Sequence, residues 1–440
     1  MHLVDILVKN ATLVTMAPDM PVIEPGAVAV AQDRIAAAGP QQAVLLEYKA
    51  AKVIDAKGGI VMPGLVNTHT HAAMSLFRGL ADDLPLMTWL EEHIFPAEAE
   101  LTQDMVYRST LLACAEMIKS GTTTFCDMYL FEDAVAQAAK QAGLRAVVGE
   151  VIYDFASPSY GPVEKGLEYT SALIDKWRRD PLITIAVEPH SPYLCSPDLL
   201  QKLKAIADEN QAPMVIHLSE SQHEVAQIQD KFGKTPPEHL ADLGILGPRL
   251  IADHCVALTE NDITLLKQYD VKVAHNPESN MKLASGIAPI PALLSRGVTV
   301  GVGTDGCASN NNLDLFQEMD TLAKLHKVQT LDPTVLDART VVKMATLDGA
   351  CVLGLDACIG SLEPGKKADL IIVDVDQPHL VPMYNVYSHL VYTVSGHDVV
   401  TAIVNGRILM QDRQLLSLHE EAVMRDVNKI AIKIIKKETE

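Results

Sequence analysis

Two histidines, two residues apart, close an apolar run in GLVNTHTHAAM, residues 64–74. Residues two apart in an extended strand project to the same face, so His69 and His71 can hold one cation together. His217 and Asp305 follow two later apolar runs and would complete a shell of imidazole nitrogens and a carboxylate oxygen. A four-ligand set that leaves room for a water is typical of a catalytic metal site. Because the set contains no thiolate, we expect one Zn²⁺ per subunit, with Fe²⁺ as the alternative.

Ionisable residues also follow other apolar runs in the middle of the chain. They are His190, Glu220, His254 and His275. An H-x-H pair arises often by chance, and a lone histidine is more often a hydrogen-bonded core residue than a ligand. The joint pattern, with a polar residue closing almost every run, nevertheless favours a metal-dependent active site. Two interpretations stay open for His275, which either lines that site or caps its own strand.

The runs that carry these residues alternate with amphipathic segments. Eight strand-like runs fall within about 290 residues, which is the size and rhythm of a (β/α)8 TIM barrel. A doubly wound open sheet has the same local rhythm, but the polar strand ends favour a barrel, whose C-terminal strand ends meet at one mouth. Short alternating runs at both chain ends predict a small β-sandwich domain in two parts. The predicted order is residues 1–60 for the first part of the β-sandwich domain, 61–358 for the barrel, 359–416 for the second part and 417–440 for a C-terminal helix.

Charge and cysteine content argue against several classes of protein. The chain carries 56 Asp and Glu against 36 Lys and Arg, a formal net charge of −20, and such a field repels phosphate backbones and anionic membrane surfaces. The 7 cysteines are scattered, with no C-x-x-C pair, which disfavours a disulfide framework and a zinc ribbon. No run reaches the ~20 apolar residues of a spanning helix, and the first residues lack the pattern of a signal peptide. We expect a cytoplasmic protein with no nucleic-acid or membrane partner.

Motifs spread over nearly the whole chain carry a resemblance to a known family. They are VMPGLVNTHTH, HLSES at His217, DHCV at Asp253, HNPESNMKLASGIAPI at His275, GVGTDGCASNNNLDLFQEM at Gly301 and GSLEPGKKADLIIVD at Gly360. Together they resemble the amidohydrolase superfamily, in its mononuclear deaminase and chlorohydrolase branch. Within that branch the likeness is greatest to the 5-methylthioadenosine/S-adenosylhomocysteine deaminases. Two-metal members commonly bridge their ions with a carbamylated lysine, and the fourth run, ITIAVEPHS, offers none, so the resemblance implies one metal.

The resemblance implies a role for each residue of the site. The metal ligands are His69, His71, His217 and Asp305. The expected catalytic residues are Glu220, as the proton-transfer acid, His254, which orients the attacking hydroxide, and Asp305, which takes its proton. The substrate contacts are Glu98, His190 and Glu220.

The end of the third strand-like run departs from the family pattern. Typical members carry an arginine there, whereas this chain reads GEVIYDFASPSYG and has no arginine until Arg178. We expect the loop to face the ribose or its 5′ substituent. Carboxylates such as Glu150 or Asp154 would accept hydrogen bonds from ribose hydroxyls and make the pocket less welcoming to a negatively charged substrate.

The resemblance implies a metal-dependent hydrolytic deaminase. It would convert the 6-amino group of an adenosine derivative (5′-methylthioadenosine, S-adenosylhomocysteine, 5′-deoxyadenosine or adenosine) to the inosine product plus ammonia. Other members of the branch, a guanine or pterin deaminase or a triazine chlorohydrolase, stay open because they share the metal ligands. A non-catalytic scaffold on the same fold is the remote alternative, since scaffolds typically lose ligands and here the set is intact. Analogy with relatives predicts a homo-oligomer, either a dimer or a tetramer.

Overall fold

The computed structural model describes residues 1–17, 22–84 and 88–438. Its strands form two sheets. The strands are β1 (His2–Leu13), β2 (Ile23–Ala31), β3 (Arg34–Pro40), β4 (Tyr48–Asp55), β5 (Ile60–Pro63), β6 (Leu65–Thr70), β7 (Thr122–Tyr129), β8 (Arg145–Ile152), β9 (Ile183–Ile185), β10 (Glu188–Pro189), β11 (Met214–Leu218), β12 (Leu250–His254), β13 (Lys272–His275), β14 (Val300–Val302), β15 (Leu370–Val373), β16 (Val399–Val404), β17 (Arg407–Gln411) and β18 (Gln414–Leu415).

The first sheet is built from both ends of the chain. Its order is β18-β17-β16-β15-β5-β1-β2-β3, with β4 paired to the free side of β1. Val8 and Val28 from the N-terminal part share one buried core with Leu370 and Ile403 from the C-terminal part. Burial of these apolar side chains from both ends stabilises the association of two segments that are far apart in sequence.

The sequence pattern predicts that the run IVMPGLVNTHTH forms one barrel strand. The structure contradicts this prediction. The run divides at Gly64, so that β5 pairs with β1 and β15 in the first sheet, while β6 belongs to the second. A Cβ at Gly64 would lie 2.1 Å from the Thr123 side chain. The close approach to Thr123 requires glycine at the point where the chain passes from one sheet to the other.

The second sheet is a closed parallel barrel. Strands β6, β7 and β8 lie side by side, β9 and β10 together make the fourth strand, and β11 to β14 complete the circle. Val302 of β14 pairs with Asn67 of β6, and a bridge from Val187 to Met214 joins the fourth strand to the fifth. The (β/α)8 prediction is therefore confirmed, and all C-terminal strand ends lie at one mouth.

Most helices cover the barrel and connect its strands, whereas the first one, Gln41–Glu47, packs on β2 and β3 of the first sheet. They are α1 (Gln41–Glu47), α2 (Phe95–Glu98), α3 (Gln103–Lys119), α4 (Glu132–Ala142), α5 (Val163–Trp177), α6 (Pro197–Asn210), α7 (Gln222–Phe232), α8 (Pro236–Asp242), α9 (Glu260–Gln268), α10 (Pro277–Lys282), α11 (Ile290–Ser295), α12 (Leu315–Thr330), α13 (Ala338–Met344), α14 (Leu347–Val352), α15 (Val386–Tyr392) and α16 (Glu420–Glu438). Short 3₁₀ turns occupy Ala72–Phe77, Pro378–Leu380 and Gly396–Asp398, and a π-helical turn occupies Trp89–Ile94.

Helix ends follow ordinary capping chemistry. The Thr102 hydroxyl accepts a hydrogen bond from the Met105 N–H at the start of α3 (3.3 Å), as an N-cap residue does. The C-terminal helix α16 packs on α3, where Lys119 Nζ lies 2.6 Å from Glu420 Oε1; the last two residues of the predicted helix, 439–440, lie outside the described residues. Within the described ranges, none of the helices has both the length and the apolar character needed to cross a membrane.

Candidate active site

The barrel mouth opens into a cavity of about 250 Å³. Most of the ionisable residues predicted for the site line it. They are His71, Glu98, His190, His217, Glu220, His254 and Asp305. His69 lies fully buried beside them. Strand ends that are distant in sequence thus bring these side chains together, as the barrel geometry requires.

Three histidine rings are oriented by protein oxygens at their Nδ1 atoms. His69 Nδ1 lies 3.1 Å from Asp253 Oδ2, and His217 Nδ1 lies 2.9 Å from the His190 carbonyl oxygen. His71 Nδ1 is hydrogen-bonded to the Met128 carbonyl oxygen. A ring that is held at Nδ1 presents Nε2 to a metal, and such outer partners fix both the tautomer and the ring orientation.

The carboxylate of Asp305 faces two of these rings. Its Oδ1 lies 3.6 Å from His69 Nε2 and 3.2 Å from His71 Nε2. Its Oδ2 accepts hydrogen bonds from the hydroxyls of Ser279 (2.5 Å) and Ser309 (3.1 Å). Burial opposes the charge on Asp305, but the neighbouring rings of His69 and His71 outweigh it and hold the carboxyl pKa well below its usual range.

The donor atoms fit a transition-metal ion. One nitrogen each from His69, His217 and His254 lie within 4.8 Å of one another, and the same holds for donor atoms of His69, His71 and Asp305. Burial, and then the neighbouring histidines, lower the His217 pKa well below its usual value, so its ring is neutral and keeps the lone pair a metal needs. The set predicted from the sequence, with nitrogens of His69, His71 and His217 and an oxygen of Asp305, would suit Zn²⁺ or Fe²⁺, and the nitrogen of His254 lies close to those of His69 and His217.

The raised pKa of His69 also favours a bound cation. Burial disfavours a proton on this ring, yet Asp253 and Asp305 outweigh burial and raise its pKa to about 10. The two buried carboxylates therefore stabilise a positive charge at this ring. A divalent cation would supply that charge directly.

Glu220 lies at the cavity wall on a loop held by another acid. The buried carboxyl of Glu224 accepts the backbone N–H groups of Ser219 (3.0 Å) and Glu220 (2.8 Å). Ser219 has a φ of 52°, a conformation that a residue other than glycine keeps only when its surroundings hold it. Glu224 thus fixes the backbone from which the Glu220 side chain enters the cavity.

His254 is the remaining ring at the base of the cavity. Its Nδ1 lies 2.8 Å from the Asn280 amide oxygen and 3.3 Å from the Asn276 amide nitrogen. With Nδ1 assigned as the donor to the nearer of these atoms, the Asn280 oxygen, Nε2 is free to act as an acceptor toward the cavity. The ring can therefore bind a polar atom placed beside the metal ligands.

Two further predicted residues have strongly shifted pKa values. Burial raises the pKa of Glu98 to about 7, against the opposing effects of a hydrogen bond with the Tyr129 hydroxyl and the charge of His71. Burial, and then the charge of His71, lower the pKa of His190 to about 3. Glu98 therefore titrates near neutral pH, whereas His190 is a neutral ring.

Comparison with known proteins agrees with this geometry. The family model described as the amidohydrolase family matches residues 60–409. The chain belongs to the amidohydrolase family. It is 59% identical to a protein of Syntrophobacter fumaroxidans named 5-methylthioadenosine/S-adenosylhomocysteine deaminase, over 97% of this chain and 98% of that protein.

Two further comparisons concern another curated relative and a solved crystal structure. The chain is 48% identical to the 5′-deoxyadenosine deaminase of Methanosarcina mazei, over 98% of each chain. Its structure matches that of an adenosine deaminase from Xanthomonas campestris with bound zinc, with a TM-score of 0.97, 39% identity and 99% of each chain covered. Members of the amidohydrolase family are hydrolases, and the family is metal-dependent.

Glu150 of this amidohydrolase does not lie where the sequence suggests. It is fully buried and is absent from the residues that line the cavity. Its carboxylate oxygens instead accept the backbone N–H groups of Phe131 (3.2 Å) and Glu132 (2.9 Å) at the start of α4. The expectation that Glu150 contacts the ribose is therefore wrong, because the first turn of α4 already uses both oxygens.

The rest of the third-strand loop divides between structure and cavity. Asp154 is also engaged elsewhere, since its carboxylate accepts hydrogen bonds from the backbone N–H and the hydroxyl of Ser196. Tyr153 and Phe155, on either side of Asp154, line the cavity instead. The loop thus faces the cavity, as expected, but with aromatic side chains rather than carboxylates.

Of the two positions left open for His275, the structure gives it the one at the end of its own strand, since it is the last residue of β13. It is buried, does not line the cavity, and its Nε2 lies 3.3 Å from His326 Nε2 on α12. Burial, and then the charge of His326, lower its pKa well below the usual value. His275 is a core residue of this amidohydrolase that packs between strand and helix.

Sequence reasoning missed Asp253 and Glu224, which hold His69 and Glu220. Asp253 directly precedes His254 in the motif DHCV, in which only the histidine is predicted to have a catalytic role. Its Cα pairs in register with that of His217, so it points to the same side of the sheet as the ligand. Glu224 lies four residues after Glu220, in the first turn of α7. The signal available in the sequence was an acidic residue in the first turn of a helix that follows a strand end.

Proposed function

We propose that this amidohydrolase is a hydrolytic deaminase of adenosines modified at the 5′ position, which yields the inosine and ammonia. The observation that carries the proposal is the convergence of a histidine and aspartate cluster with Glu220 and His254 around one cavity. The names of the relatives, which include deaminases of methylthioadenosine and of 5′-deoxyadenosine, support the substrate class.

The proposed metal ligands are His69, His71, His217 and Asp305, which would hold one Zn²⁺, with Fe²⁺ as the alternative. Bound zinc in the Xanthomonas campestris relative supports zinc. A cation in this position supplies Lewis acidity, which lowers the pKa of water and makes it a nucleophile near neutral pH.

Asp305 and His254 prepare the water for attack on C6 of the purine. In the proposed sequence, the Asp305 carboxylate accepts one proton from the water, because it is ionised and lies beside the ligating rings. His254 accepts a hydrogen bond at Nε2 and so fixes the direction of attack. Asp305 then passes its proton to the departing amine, which leaves as ammonia.

Glu220 serves the opposite side of the ring. Attack at C6 moves an electron pair onto N1, and the carboxylic acid of Glu220 donates a proton there. As C6 becomes a carbonyl, the second proton of the water is released and replaces the one that Glu220 gave. Water and the adenosine are thereby converted to the inosine and ammonia in balance, and general acid catalysis of this kind contributes ~10²- to 10⁴-fold.

Glu98 and His190 are the proposed substrate contacts. Both line the cavity. The Glu98 carboxyl can accept hydrogen bonds from ribose hydroxyls, and the neutral His190 ring can bond to a purine nitrogen or a hydroxyl. Replacing Glu98 by Gln should therefore affect KM for nucleosides more than the metal content.

An ultraviolet assay of the zinc-loaded protein tests this function. It compares kcat/KM for 5′-methylthioadenosine, S-adenosylhomocysteine, 5′-deoxyadenosine, adenosine and guanine. Conversion of the adenosines to inosines is the expected result. Turnover of guanine, a pterin or a chlorinated triazine, with every adenosine inert, would assign the chain to another activity of the same family.

Two predictions about the cellular state of the protein remain. We propose a cytoplasmic location, supported by the seven free thiols of the chain. We also propose a homo-oligomer, a dimer or a tetramer, on the analogy with relatives. Light scattering on the purified protein measures the oligomeric state directly, and a monomer would contradict that proposal.

A further inference from the structure

Apart from the histidine rings, the ionisable side chains that line the cavity are carboxyl groups and tyrosines. Three carboxyl groups line it, those of Glu98, Glu220 and Asp305. Within the described residues, no lysine or arginine belongs to the lining. The protein as a whole carries a formal charge of −20, so its long-range field adds to the local one.

The cavity changes in character from its base to its rim. Three of the proposed metal ligands at the base, His69, His217 and Asp305, are buried, whereas Phe95 and Phe155 are 37% and 46% exposed. The rings of Tyr153 and Phe155 stack, with centroids 3.9 Å apart and planes 18° apart. The rim is therefore an apolar, largely aromatic surface that is partly open to solvent.

Two cationic residues that could serve an anionic substituent are committed to other partners. Lys282 directly precedes the lining residue Leu283, but its ammonium binds Asp82 (2.6 Å) and the Ala308 carbonyl (3.4 Å). Arg178, the first arginine after the third-strand loop, stands between the end of α5 and the start of β9, at the end of the barrel opposite the mouth, and binds Asp175 and Asn210 at 2.9 and 2.8 Å. Neither guanidinium nor ammonium is available to an anion in the cavity.

The orientation of a bound nucleoside follows from the reaction. This step rests on the proposed function, because C6 must reach the metal ligands at the base. The 6-amino group and the 5′ carbon lie at opposite ends of an adenosine, so a 5′ substituent must meet the apolar rim.

We propose that this site selects adenosines whose 5′ substituent is apolar and uncharged, and discriminates against a carboxylate or phosphate at that end. An apolar group gains about three- to fivefold in binding for each methylene it buries on the aromatic surface. An anion loses hydration there, finds no lysine or arginine among the described lining residues and enters the field of a protein with a formal charge of −20. Methylthioadenosine and 5′-deoxyadenosine are therefore preferred over S-adenosylhomocysteine, whose carboxylate and ammonium groups would both lose hydration at this rim.

A matched series of 5′-thioethers tests this selection on the metal-loaded enzyme. The propyl, 2-aminoethyl and 2-carboxyethyl thioethers of 5′-deoxyadenosine have nearly the same length and differ in charge. We expect kcat/KM for the carboxyethyl compound to be at least about tenfold below that for the propyl compound, with the aminoethyl compound between them. Equal or faster turnover of the carboxyethyl compound would overturn the inference and leave the deaminase intact. Inertness of all three and of methylthioadenosine would refute the proposed function itself.

A rim substitution tests the cause. Phe155→Arg places a cation at the apolar rim, and we expect it to raise the ratio of carboxyethyl to propyl turnover by about tenfold. Phe155→Gln is the control, because it is polar but uncharged and should leave that ratio near the wild-type value. Ala156→Arg, at an exposed neighbouring position of the lining, repeats the test in case the Phe155 variant does not fold. An unchanged ratio in folded arginine variants at both positions would show that missing positive charge is not the cause.

Discussion

Removing the Glu224 carboxyl should slow catalysis through Glu220 while leaving the metal in place. Glu224 is 3% exposed and holds the N–H groups of Ser219 and Glu220 at 3.0 and 2.8 Å. Neither of these two hydrogen bonds involves a proposed metal ligand. In Glu224→Ala both N–H groups lose their acceptor, and the unusual backbone conformation at Ser219 loses its support.

The size of the effect can be bounded from the structure. Each buried N–H left without a partner costs about 1–3 kcal/mol, so the loop should relax toward solvent and move Glu220 away from the substrate. A general acid contributes ~10²- to 10⁴-fold, and misplacing it cannot cost more than removing it. The loss of kcat in Glu224→Ala should therefore lie between about tenfold and the loss measured for Glu220→Gln.

A double-mutant cycle is the decisive assay. If Glu224 acts by positioning Glu220, the double variant Glu224→Ala/Glu220→Gln should be no slower than Glu220→Gln alone. Glu150→Ala is a matched control, since Glu150 also holds two backbone N–H groups at a helix start but far from Glu220 in sequence. Its effect on kcat should multiply with that of Glu220→Gln. Wild-type kcat in Glu224→Ala, or losses that multiply in the double variant, would refute this reasoning.

Three other predictions use metal analysis and thermal unfolding. His217→Ala should lose both metal and activity, whereas Glu220→Gln should lose activity alone; elemental analysis with the deaminase assay separates them, and full activity in Glu220→Gln would remove it as the proton donor. Asp253→Asn should weaken metal binding about 10- to 100-fold, because Asp253 orients His69; wild-type affinity in a chelator competition would contradict this. Burial raises the pKa of Glu150 to about 7, so the stability linked to its proton is full below pH ~4.5 and is lost as pH rises through 7. Relative to Glu150→Gln, the wild type should therefore lose roughly 3 kcal/mol across that window; parallel melting profiles for the two proteins would argue against it.

The strand-end residues were the most predictable part of the site. His69, His71 and Asp305 each stand where an apolar run stops, and a closed parallel barrel brings all such positions to one mouth whatever the loops do. No knowledge of distant contacts was needed, because strand period and strand direction are local properties. The same reasoning could not divide β5 from β6, since the steric demand at Gly64 comes from Thr123.

Glu150 shows where local reasoning stops. Its position at the end of a strand resembles that of the ligands, but the direction and partners of its carboxylate depend on a helix that starts 18 residues earlier. The N–H groups of Phe131 and Glu132 need acceptors, and Glu150 satisfies both. The packing of α4 against β8 is needed to see that Glu150, which resembles a substrate contact in the sequence, accepts these N–H groups instead.

The acidity of the cavity connects metal binding with substrate choice. Asp253 and Asp305 place negative charge beside the imidazole rings, which favours a divalent cation and disfavours the apo site. That cation offsets the two aspartates at the base, whereas the Glu98 carboxyl, with a pKa of about 7, and the formal charge of −20 on the protein remain. A substituent at the rim therefore meets net negative potential even in the metal-loaded enzyme, and salt should relieve that repulsion. Discrimination against the carboxyethyl thioether should accordingly weaken as ionic strength rises, whereas the preference of propyl over hydrogen at the 5′ carbon, which comes from apolar burial, should not.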